Sequence, residues 1–458
     1  MSVTFHPPGE PGCSLFIPGP SLYEAPGGDH GYRFDVWLKR PGGRDSLLQT
    51  ITWTSSLPIR LRSGDGNTAL ASVLLPAMAM GLPVRIEAPV SRGLLNNLVD
   101  FQTIFHAWFP SLHIIPIDAP CADVSPVAAA SGTAAFFSGG VDGFHTLRRN
   151  LNDVSTLVML HGYDLDLERT DHRFVVEDYL RTIASELRRD LAVIQTNLRS
   201  FTDRYVWWGD QCGIALGAAA YLLEGSVGRM LVASSNTYAD FVPCGTTVLT
   251  DPLLSTEAME MVVDGATTPR IDKVFELARW DYARERLRVC WRMPATGLNC
   301  GRCNKCLRTM TALWLADALD RSPTFPEPLS PEVIAREPLN PLHAWFAMEN
   351  IQRARSLGRG DHPAIRAWEQ ALARCQAGVA PPHADALARD LARDPFTAQW
   401  LADHAGELIA ETGRRNPGAL LAALQRQAPE ELAGFFTRYR WKAPAALAGR
   451  AIRRLAGM

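Results

Sequence analysis

AAFFSGGVDGFHTL, from Ala134 to Leu147, is the stretch that decides the fold. An apolar segment typical of a buried strand runs directly into Ser138, Gly139 and Gly140. A helical pattern then begins at once, with Asp142 in its first turn. Glycines at such a junction let backbone N–H groups converge at the positive end of the helix, a geometry that binds phosphate. Tight strand-to-helix turns also use glycine for steric reasons alone, so the junction predicts a phosphate site or a plain turn.

Short apolar runs alternate with longer amphipathic stretches from about residue 131 to residue 320. The pattern predicts strands that end at Phe137, His161, Thr196 and Ser235. Helices are predicted between them, at roughly 142–150, 173–189 and 211–224. We therefore expect an α/β domain with a doubly wound parallel sheet, in which ligands bind beyond the carboxyl ends of the strands.

Two flanking regions differ from this central domain. Residues 1–130 open with a Pro/Gly-rich segment expected to be irregular loop, and continue in a pattern that predicts a small α/β domain of its own. The segment RSGDGN at 62–67 fits either an anion-binding loop or a plain turn before a helix. Residues 321–458 predict a helical C-terminal region. Its basic end, with Arg438, Arg440, Lys442, Arg450, Arg453 and Arg454, fits an RNA-binding arm or solvated helix faces.

A cysteine series, Cys290, Cys300, Cys303 and Cys306, is the strongest chemical signal. Thiolates two residues apart on a turn can reach one metal ion, and a fourth from the predicted strand LRVCW completes a tetrahedron suited to Zn²⁺. Four sulfur ligands leave no open position, so we expect a structural metal that ties this strand to a helix starting near Lys305. An iron–sulfur cluster and a chance grouping of structural cysteines are the alternatives.

Composition excludes several classes of protein. A chain of 458 residues that is 47% hydrophobic and 21% charged is that of a packed globular protein. Nine cysteines are too few for a disulfide scaffold, and a formal charge of −2 argues against a broad nucleic-acid surface. The longest uncharged apolar stretch, Ala69 to Val84, is too short to span a membrane. We expect a cytoplasmic protein that acts on a small-molecule or peptide substrate, as a monomer or as a homodimer.

Taken together, the two motifs resemble a known family. SGGVDG resembles the SGGxDS loop of the ATP pyrophosphatase, or PP-loop, superfamily, and the cysteine series resembles the zinc site of its member 7-cyano-7-deazaguanine synthase. The resemblance covers residues 131 to about 320. It implies that the loop binds ATP, that a substrate oxygen attacks the α-phosphate, and that pyrophosphate leaves before a nitrogen or sulfur nucleophile displaces AMP.

The resemblance also implies roles for individual residues. The loop residues would hold pyrophosphate and Mg²⁺, and those after the second strand would contact adenine: Ser138, Gly139, Gly140, Asp142 and Gly143, then Leu160 and His161. Ser138, Asp142 and Lys273 would be catalytic, and Arg270 would join Lys273 in neutralising the leaving group. Surface helix charge is the alternative for Arg270 and Lys273. Looser matches place Ser235, Asn236, Asp251 and Glu257 at the substrate, although each also fits a turn or cap residue.

Two departures from the family pattern matter. The last serine of the family loop is Gly143 here, which removes a phosphate donor unless Thr146 or His145 supplies one. The Arg–Asn pair of the synthase is absent from WWGDQCGIALG, which disfavours a deazapurine substrate. We therefore expect a ligase-like enzyme that uses ATP to adenylate a carboxylate or amide oxygen, with ATP, Mg²⁺ and Zn²⁺ as cofactors. A tRNA-modifying enzyme of the superfamily and a non-catalytic nucleotide-binding or assembly protein are the alternatives.

Overall fold

The structure, a computed structural model, describes residues 12–122, 130–165, 167, 170–239, 242–292, 297–337, 339 and 341–376, without the side chains of 170–172 and 341–343. Its residues fall into two compact units, one ending at Leu277 and the other beginning at Ala278. This division lies far from the predicted boundary at 130, because the strands on both sides of residue 130 belong to one sheet.

The N-terminal part of the first unit contains strands where the sequence predicted irregular loop. In the strand His30–Lys39, Tyr32, Phe34 and Val36 alternate with more exposed residues and are all buried, which is the period of a half-buried strand. The Pro- and Gly-rich turns around these strands concealed that period. In chain order the elements are β1 (Ser14–Ile17), β2 (Ser21–Glu24), β3 (His30–Lys39), β4 (Ser46–Ser55), α1 (Asn67–Met80), β5 (Val84–Ile86), α2 (Arg92–Trp108) and β6 (Ile117–Asp118).

The remainder of the first unit alternates strands and helices as predicted. All four predicted strands and all three predicted helices are present, with ends that differ by a few residues. A fifth strand, Glu260–Asp264, was not predicted. The elements are β7 (Thr133–Phe136), α3 (Val141–Arg149), β8 (Val154–His161), α4 (Thr170–Glu186), β9 (Asp190–Thr196), α5 (Leu198–Thr202), α6 (Trp208–Tyr221), β10 (Arg229–Ala233), β11 (Glu260–Asp264) and α7 (Arg270–Ala278).

One mostly parallel sheet joins these strands in the order β11-β10-β7-β8-β9-β4-β3-β1-β5-β6, and β2 pairs with β3. The strands β7 to β11 are all parallel to their neighbours in this set. The chain passes from β7 through β8 to β9 in one direction, and then crosses back to place β10 on the other side of β7. β4 runs antiparallel to β9, with Trp53 opposite Thr196, and so links the N-terminal strands to this set.

The second unit is helical in its described residues. Residues 287–291, predicted to be the strand LRVCW, form no strand. Three helices follow the Pro-rich segment, while residues 377–458, including the basic end, lie outside the described residues. Within the described part of the chain, no helix has the length and apolar character needed to cross a membrane. The helices are α8 (Asp281–Arg284), α9 (Asn304–Leu315), α10 (Pro331–Arg336), α11 (Pro341–Ser356) and α12 (Pro363–Gln376).

Candidate functional site

The loop after β7 requires glycine at one position for two independent reasons. Gly139 has a φ of +77°, a conformation that residues with a side chain rarely adopt. A β-carbon there would also lie 2.8 Å from both Cε1 and the hydroxyl oxygen of Tyr179 on α4. Gly140 then has extended backbone angles and forms the N-cap of α3, with no side chain to cap the helix. The backbone N–H groups at the start of α3 are therefore not capped by the N-cap residue.

Asp142, in the first turn of α3, joins three chain segments. Its carboxylate forms ion pairs with Arg270 and with Lys273, whose Nζ lies 3.4 Å from Oδ1. The Ser235 hydroxyl, in the loop after β10, donates a hydrogen bond of 3.0 Å to Oδ2. Lys273 also donates to the carbonyl of Ser234 in that loop. The structure thus brings together Asp142, Ser235, Lys273 and Arg270 at the point where the strand order reverses.

The charges of this cluster are buried. The side chain of Lys273 is 1% exposed, that of Arg270 is 9% exposed and that of Asp142 is 14% exposed. Both buried cations thus contact the same carboxylate.

A Mg²⁺ ion held by Asp142 does not fit these contacts. One carboxylate oxygen faces Lys273, and the other faces Arg270 and Ser235. A divalent cation would have to displace one of two positive side chains and then lie beside the other. Among the described residues, the cysteine cluster alone groups three or more His, Cys, Asp or Glu side chains around a position for metal. The predicted Mg²⁺ site on Asp142 is therefore not supported.

The predicted adenine contacts lie at the end of β8. β7 pairs with β8 only as far as Val158, whereas β8 continues to Leu160 and His161, which pair with β9 on the other side. The main chain at Leu160 thus extends beyond the end of β7, next to the loop 138–140. The side chain of His161 is buried. Its position favours a role in packing for the side chain, and leaves the main chain of Leu160 as the candidate ligand contact.

Three of the predicted substrate residues, Asn236, Asp251 and Glu257, form hydrogen bonds outside the Asp142 cluster. Asn236 uses its carbonyl oxygen to accept a hydrogen bond from Ser234. Asp251 is buried in a turn, where it accepts a hydrogen bond of 3.1 Å from the backbone N–H of Thr247. Burial raises the pKa of Asp251 to about 8, an effect that the Thr247 hydrogen bond only partly offsets.

Glu257 lies at the opposite edge of the sheet from the loop 138–140. It precedes β11, so it is near the amino ends of the parallel strands. Its carboxylate accepts hydrogen bonds from the Ser91 hydroxyl and from the N–H of Gly93, 2.8 Å away, at the start of α2. Burial alone would raise the pKa of Glu257, but these hydrogen bonds lower it below its usual value. Glu257 therefore caps a helix.

Gly143 faces the protein interior and not the phosphate loop. A β-carbon at Gly143 would lie 3.2 Å from Cδ2 of Phe137, whose ring packs edge-on against Phe144. The two residues proposed to replace the missing donor have other partners. Thr146 donates to Asp264, and the buried His145 lies 3.4 Å from Glu276. Neither contact is with the loop, so the expected replacement of the donor is not seen.

An internal carboxylate occupies the segment 62–67. Glu224, fully buried, accepts hydrogen bonds from the N–H groups of Arg62 and Ser63, at 2.9 and 3.0 Å, and from the Ser63 hydroxyl. Thr256 donates a further hydrogen bond to it. The backbone here does bind an anion, as the anion-loop interpretation required, but that anion belongs to the protein itself.

Two residues of the first unit were missed by the sequence analysis. Tyr179 lies over Gly139, as described above. Gln211, in the first turn of α6, is fully buried, and neither atom of its side-chain amide has a hydrogen-bond partner among the described residues. A buried unsatisfied amide is costly and is usually explained by an absent ligand or water. A glutamine within WWGDQCG gave no signal, because the pattern does not reveal which polar residue is buried.

The four cysteines of the second unit form a compact cluster. Their sulfur atoms all lie within 4.8 Å of one another, with 3.9 Å between Cys290 and Cys303, 3.9 Å between Cys300 and Cys306, and 3.5 Å between Cys303 and Cys306. Zn–S bonds of about 2.3 Å in a tetrahedron place sulfurs about 3.8 Å apart. The cluster could therefore hold a single metal ion such as zinc. An iron–sulfur cluster divides the four cysteines among two or four irons, and would need wider spacing between sulfurs that bind different irons.

Asn299 positions the first cysteine without a strand. Its Oδ1 accepts hydrogen bonds from the N–H groups of Val289 and Cys290, and its Nδ2 donates to the carbonyl of Leu287. Gly301, with a φ of +65°, turns the backbone between the next two cysteines. Cys303 is the N-cap of α9, so the positive end of that helix lies beside the thiolates. The helix predicted near Lys305 is thus confirmed, and a side-chain amide takes the place of the predicted strand.

No family model, curated protein or solved structure matches this chain.

Proposed function

We propose that this chain is an ATP-dependent, ligase-like enzyme of the PP-loop type. It adenylates a carboxylate or amide oxygen of a small molecule or peptide and releases pyrophosphate. A nitrogen or sulfur nucleophile then displaces AMP. The same proposal includes a doubly wound sheet of the PP-loop type. The parallel strands lie side by side in the order β9-β8-β7-β10-β11. Numbered along the chain from β7, this is 3-2-1-4-5, the order of the first five strands in dinucleotide-binding sheets.

The cluster of Asp142, Arg270, Lys273 and Ser235 is the observation that carries this proposal. It lies at the reversal of strand order, where ligands bind in open parallel sheets. It combines buried positive charge with a glycine-dependent turn at a helix N-terminus. Phosphate groups satisfy all three features at once, since they carry negative charge and accept hydrogen bonds from backbone N–H groups.

The chemistry follows from which phosphates the site would hold. With the β- and γ-phosphates on the loop, the α-phosphorus is the electrophile. An acceptor oxygen forms a bond to it as the bond to the bridging oxygen of the β-phosphate breaks, and pyrophosphate leaves with the electron pair. Arg270 and Lys273 stabilise the charge that gathers on this leaving group, and being fixed in advance they need no reorganisation. The nucleophile then attacks the activated carbon, and AMP departs.

Gln211 supports a polar acceptor. α6 begins after β9 and before β10, so its first turn is at the edge where the parallel strands end. An amide donates and accepts hydrogen bonds, and a carboxylate or amide substrate would offer the complementary groups. We propose that Gln211 contacts the acceptor.

A zinc ion in the cysteine cluster is proposed as structural. Four sulfur ligands leave no position for a substrate or a water molecule, so this ion would take no part in the reaction. Its contribution would be to hold residues 290–306 in place around the start of α9.

The test is the identity of the products of ATP cleavage. Purified full-length protein is incubated with ATP labelled at the α-phosphate, and the labelled products are separated. We expect AMP, formed slowly with water as the acceptor when the substrate is absent, and no labelled ADP. Arg270→Gln should reduce the rate, whereas Arg181→Gln, which removes a surface arginine paired with Glu177, should not. ADP as the product would contradict the proposal.

A further inference from the structure

Three fully buried residues of the first unit carry polar atoms without a partner. The atoms are the indole Nε1 of Trp53, the hydroxyl oxygen of Thr202 and both amide atoms of Gln211. None of them has a hydrogen-bond partner among the described residues. A buried polar group without a hydrogen bond is costly, so such atoms indicate a place for a ligand or for internal water.

Tyr163 connects two of these residues. Its ring packs edge-on against the Trp53 ring, with 6.3 Å between the centroids. On α6 it contacts the ring of Trp208, 4.9 Å away between centroids, and its hydroxyl donates to the carbonyl of Ala215. Gln211 lies between these two contacts, three residues after Trp208 and four before Ala215, and therefore on the same face of α6. Trp53 and Gln211 are thus both neighbours of Tyr163.

Thr202 lies on the buried face of α5. This short helix packs against β4, which carries Trp53, and against α6, which carries Gln211. Trp53 is opposite Thr196, the last residue of β9, and both helices follow β9 in the chain. The three side chains therefore lie at the carboxyl edge of the parallel strands, where ligands bind in sheets of this kind.

The hydrogen-bonding groups of these three side chains are uncharged. An indole N–H donates, a hydroxyl donates or accepts, and a glutamine amide does both. An amide group of a ligand complements them, because its carbonyl accepts and its N–H groups donate. A carboxylate would place a negative charge against uncharged groups, which costs far more than burying an amide. Arg199 donates to the carbonyl of Tyr163, but it pairs with Asp203 at 2.8 Å, so this pair adds no net charge.

We infer that Trp53, Thr202 and Gln211 form the binding site of the acceptor substrate, and that this acceptor is an uncharged amide and not a carboxylate. The amide oxygen then forms the bond to the α-phosphorus, pyrophosphate leaves with the electron pair of the broken bond, and the amide nitrogen loses a proton to solvent. The role of the ligand as acceptor rests on the proposed function, whereas its hydrogen-bonding class rests on the three side chains alone. The neighbouring rings of Trp53 and Tyr163 suit an amide attached to an aromatic group.

A matched pair of probes tests this inference. Benzamide and benzoate have nearly the same size and shape, and differ in the charge and the N–H donors of one group. Each is titrated into the full-length protein, with and without a non-hydrolysable ATP analogue, and binding is followed by saturation-transfer NMR. We expect benzamide to bind, and benzoate to bind about tenfold more weakly or less.

Gln211→Met separates binding from folding. It removes both amide atoms at nearly constant length, and since these atoms have no hydrogen-bond partner in the described part of the chain, the melting temperature should stay unchanged or rise. The affinity for benzamide should fall by about tenfold. Gln102→Met is the matched control, because Gln102 is also buried but its Oε1 accepts a hydrogen bond of 2.9 Å from the N–H of Ile115. This variant should melt at a lower temperature and bind benzamide as the wild type does.

The outcomes separate this inference from the proposed function. Benzoate binding as tight as that of benzamide would overturn the uncharged acceptor, while AMP formation from ATP could still stand. Absence of benzamide binding at millimolar concentration, or equal binding by the wild type and Gln211→Met, would overturn the site itself. A melting temperature that falls as far in Gln211→Met as in Gln102→Met would also overturn it, because the amide would then support the fold. Benzamide binding as expected, with ADP as the product of ATP cleavage, would refute the proposed function and leave the amide site standing.

Discussion

The ammonium group of Lys273 lies 3.4 Å from Oδ1 of Asp142, although 131 positions separate the two residues in the chain. α7 carries the lysine and α3 carries the aspartate, and both begin just after a strand of the same parallel set. A lysine with 1% of its side chain exposed contributes little to stability, because burying its charge offsets much of what the ion pair provides. We therefore predict that Lys273 matters more for ligand binding than for stability.

Replacing Lys273 separates these two roles. Lys273→Met keeps the length of the side chain and removes the charge. Asp142 keeps its ion pair with Arg270 and its hydrogen bond from Ser235, so its carboxylate is not left as an unpaired buried charge. We expect the melting temperature to stay within a few degrees of the wild type or to rise, while pyrophosphate affinity falls by about tenfold or more. Thermal unfolding and calorimetry on the same samples check both parts.

A loss of stability without a loss of affinity would contradict this assignment. Lys39→Met is the control for the substitution itself, since Lys39 pairs with Asp45 on the surface and has no contact with the cluster. It should change neither quantity by much.

The local features of the fold could be predicted from the sequence. The strand before Ser138 and the helix after it follow from hydrophobic periodicity, and the spacing of the cysteines indicated a shared metal. Strands β1 to β4 were missed, because the turns between these antiparallel strands are rich in Pro and Gly, and that composition predicted loop. Their membership of the main sheet depends on the pairing of β4 with β9, which no local pattern reveals.

The partners of charged residues could not be predicted in the same way. Glu224 contacts Ser63 across 161 positions, and Glu257 contacts Ser91 across 166. The segment 62–67, which Glu224 contacts, fits an external anion when only the sequence is considered. Asp142 raises the same difficulty in reverse: a carboxylate beside a phosphate loop indicates Mg²⁺ until Arg270 and Lys273 are seen to contact it.

The cysteine cluster leads to a prediction about metal and folding. Apparent binding energies of structural zinc are roughly 10–16 kcal/mol, comparable with the whole stability of a domain. We expect one zinc per chain, measured by elemental analysis. Cys303→Ser should give zinc-free or insoluble protein, whereas Cys375→Ser, at a cysteine outside the cluster, should resemble the wild type. Iron with acid-labile sulfide in place of zinc would refute the assignment.

The raised pKa of Asp251 predicts that its contribution to stability falls as the pH rises toward 8. Its folded pKa of about 8 is raised by burial, so the folded state favours the protonated acid. This stabilising preference is complete below the ordinary pKa of an aspartate and is lost as the pH rises through about 8. Asp251→Asn keeps the hydrogen bond from Thr247 and cannot ionise. We expect the variant to gain stability relative to the wild type between about pH 5 and pH 8, by at most about 1.4 kcal/mol per unit.

Chemical unfolding of both proteins across that pH range measures the difference. Asp203→Asn tests whether every aspartate with a raised pKa gives the same pH dependence of stability. Burial also raises the pKa of Asp203, but this residue forms an ion pair with Arg199. A difference between wild type and Asp251→Asn that does not change with pH would show that Asp251 is ionised throughout.

Glu257 is predicted to act on stability and not on substrate. Its carboxylate accepts from Ser91 and Gly93 at the start of α2, and its lowered pKa means that the contribution is present at neutral pH and is lost as the solution becomes acidic. Glu257→Gln should destabilise the protein by about 1 kcal/mol at neutral pH, as expected for a partly exposed charged hydrogen bond. Nucleotide affinity should stay unchanged, and a clear loss of affinity would restore Glu257 as a site residue.

A serine at Gly143 is predicted to destabilise the protein without improving nucleotide binding, contrary to what the SGGxDS pattern implies. A serine at this position would be expected to add a donor to the phosphate loop, but a β-carbon on Gly143 would lie 3.2 Å from the Phe137 ring. Phe137 is buried and is held edge-on by Phe144, so it cannot easily move away. Gly143→Ser should therefore lower the stability, by about 1 kcal/mol, with no gain in affinity for ATP or pyrophosphate.

Gly143→Ala is the matched variant, since it adds the same carbon without the hydroxyl. Equal destabilisation of the two, measured by chemical unfolding, would locate the cost in the contact with Phe137, whereas a serine variant that binds nucleotide more tightly than the wild type would show that the hydroxyl does reach the loop.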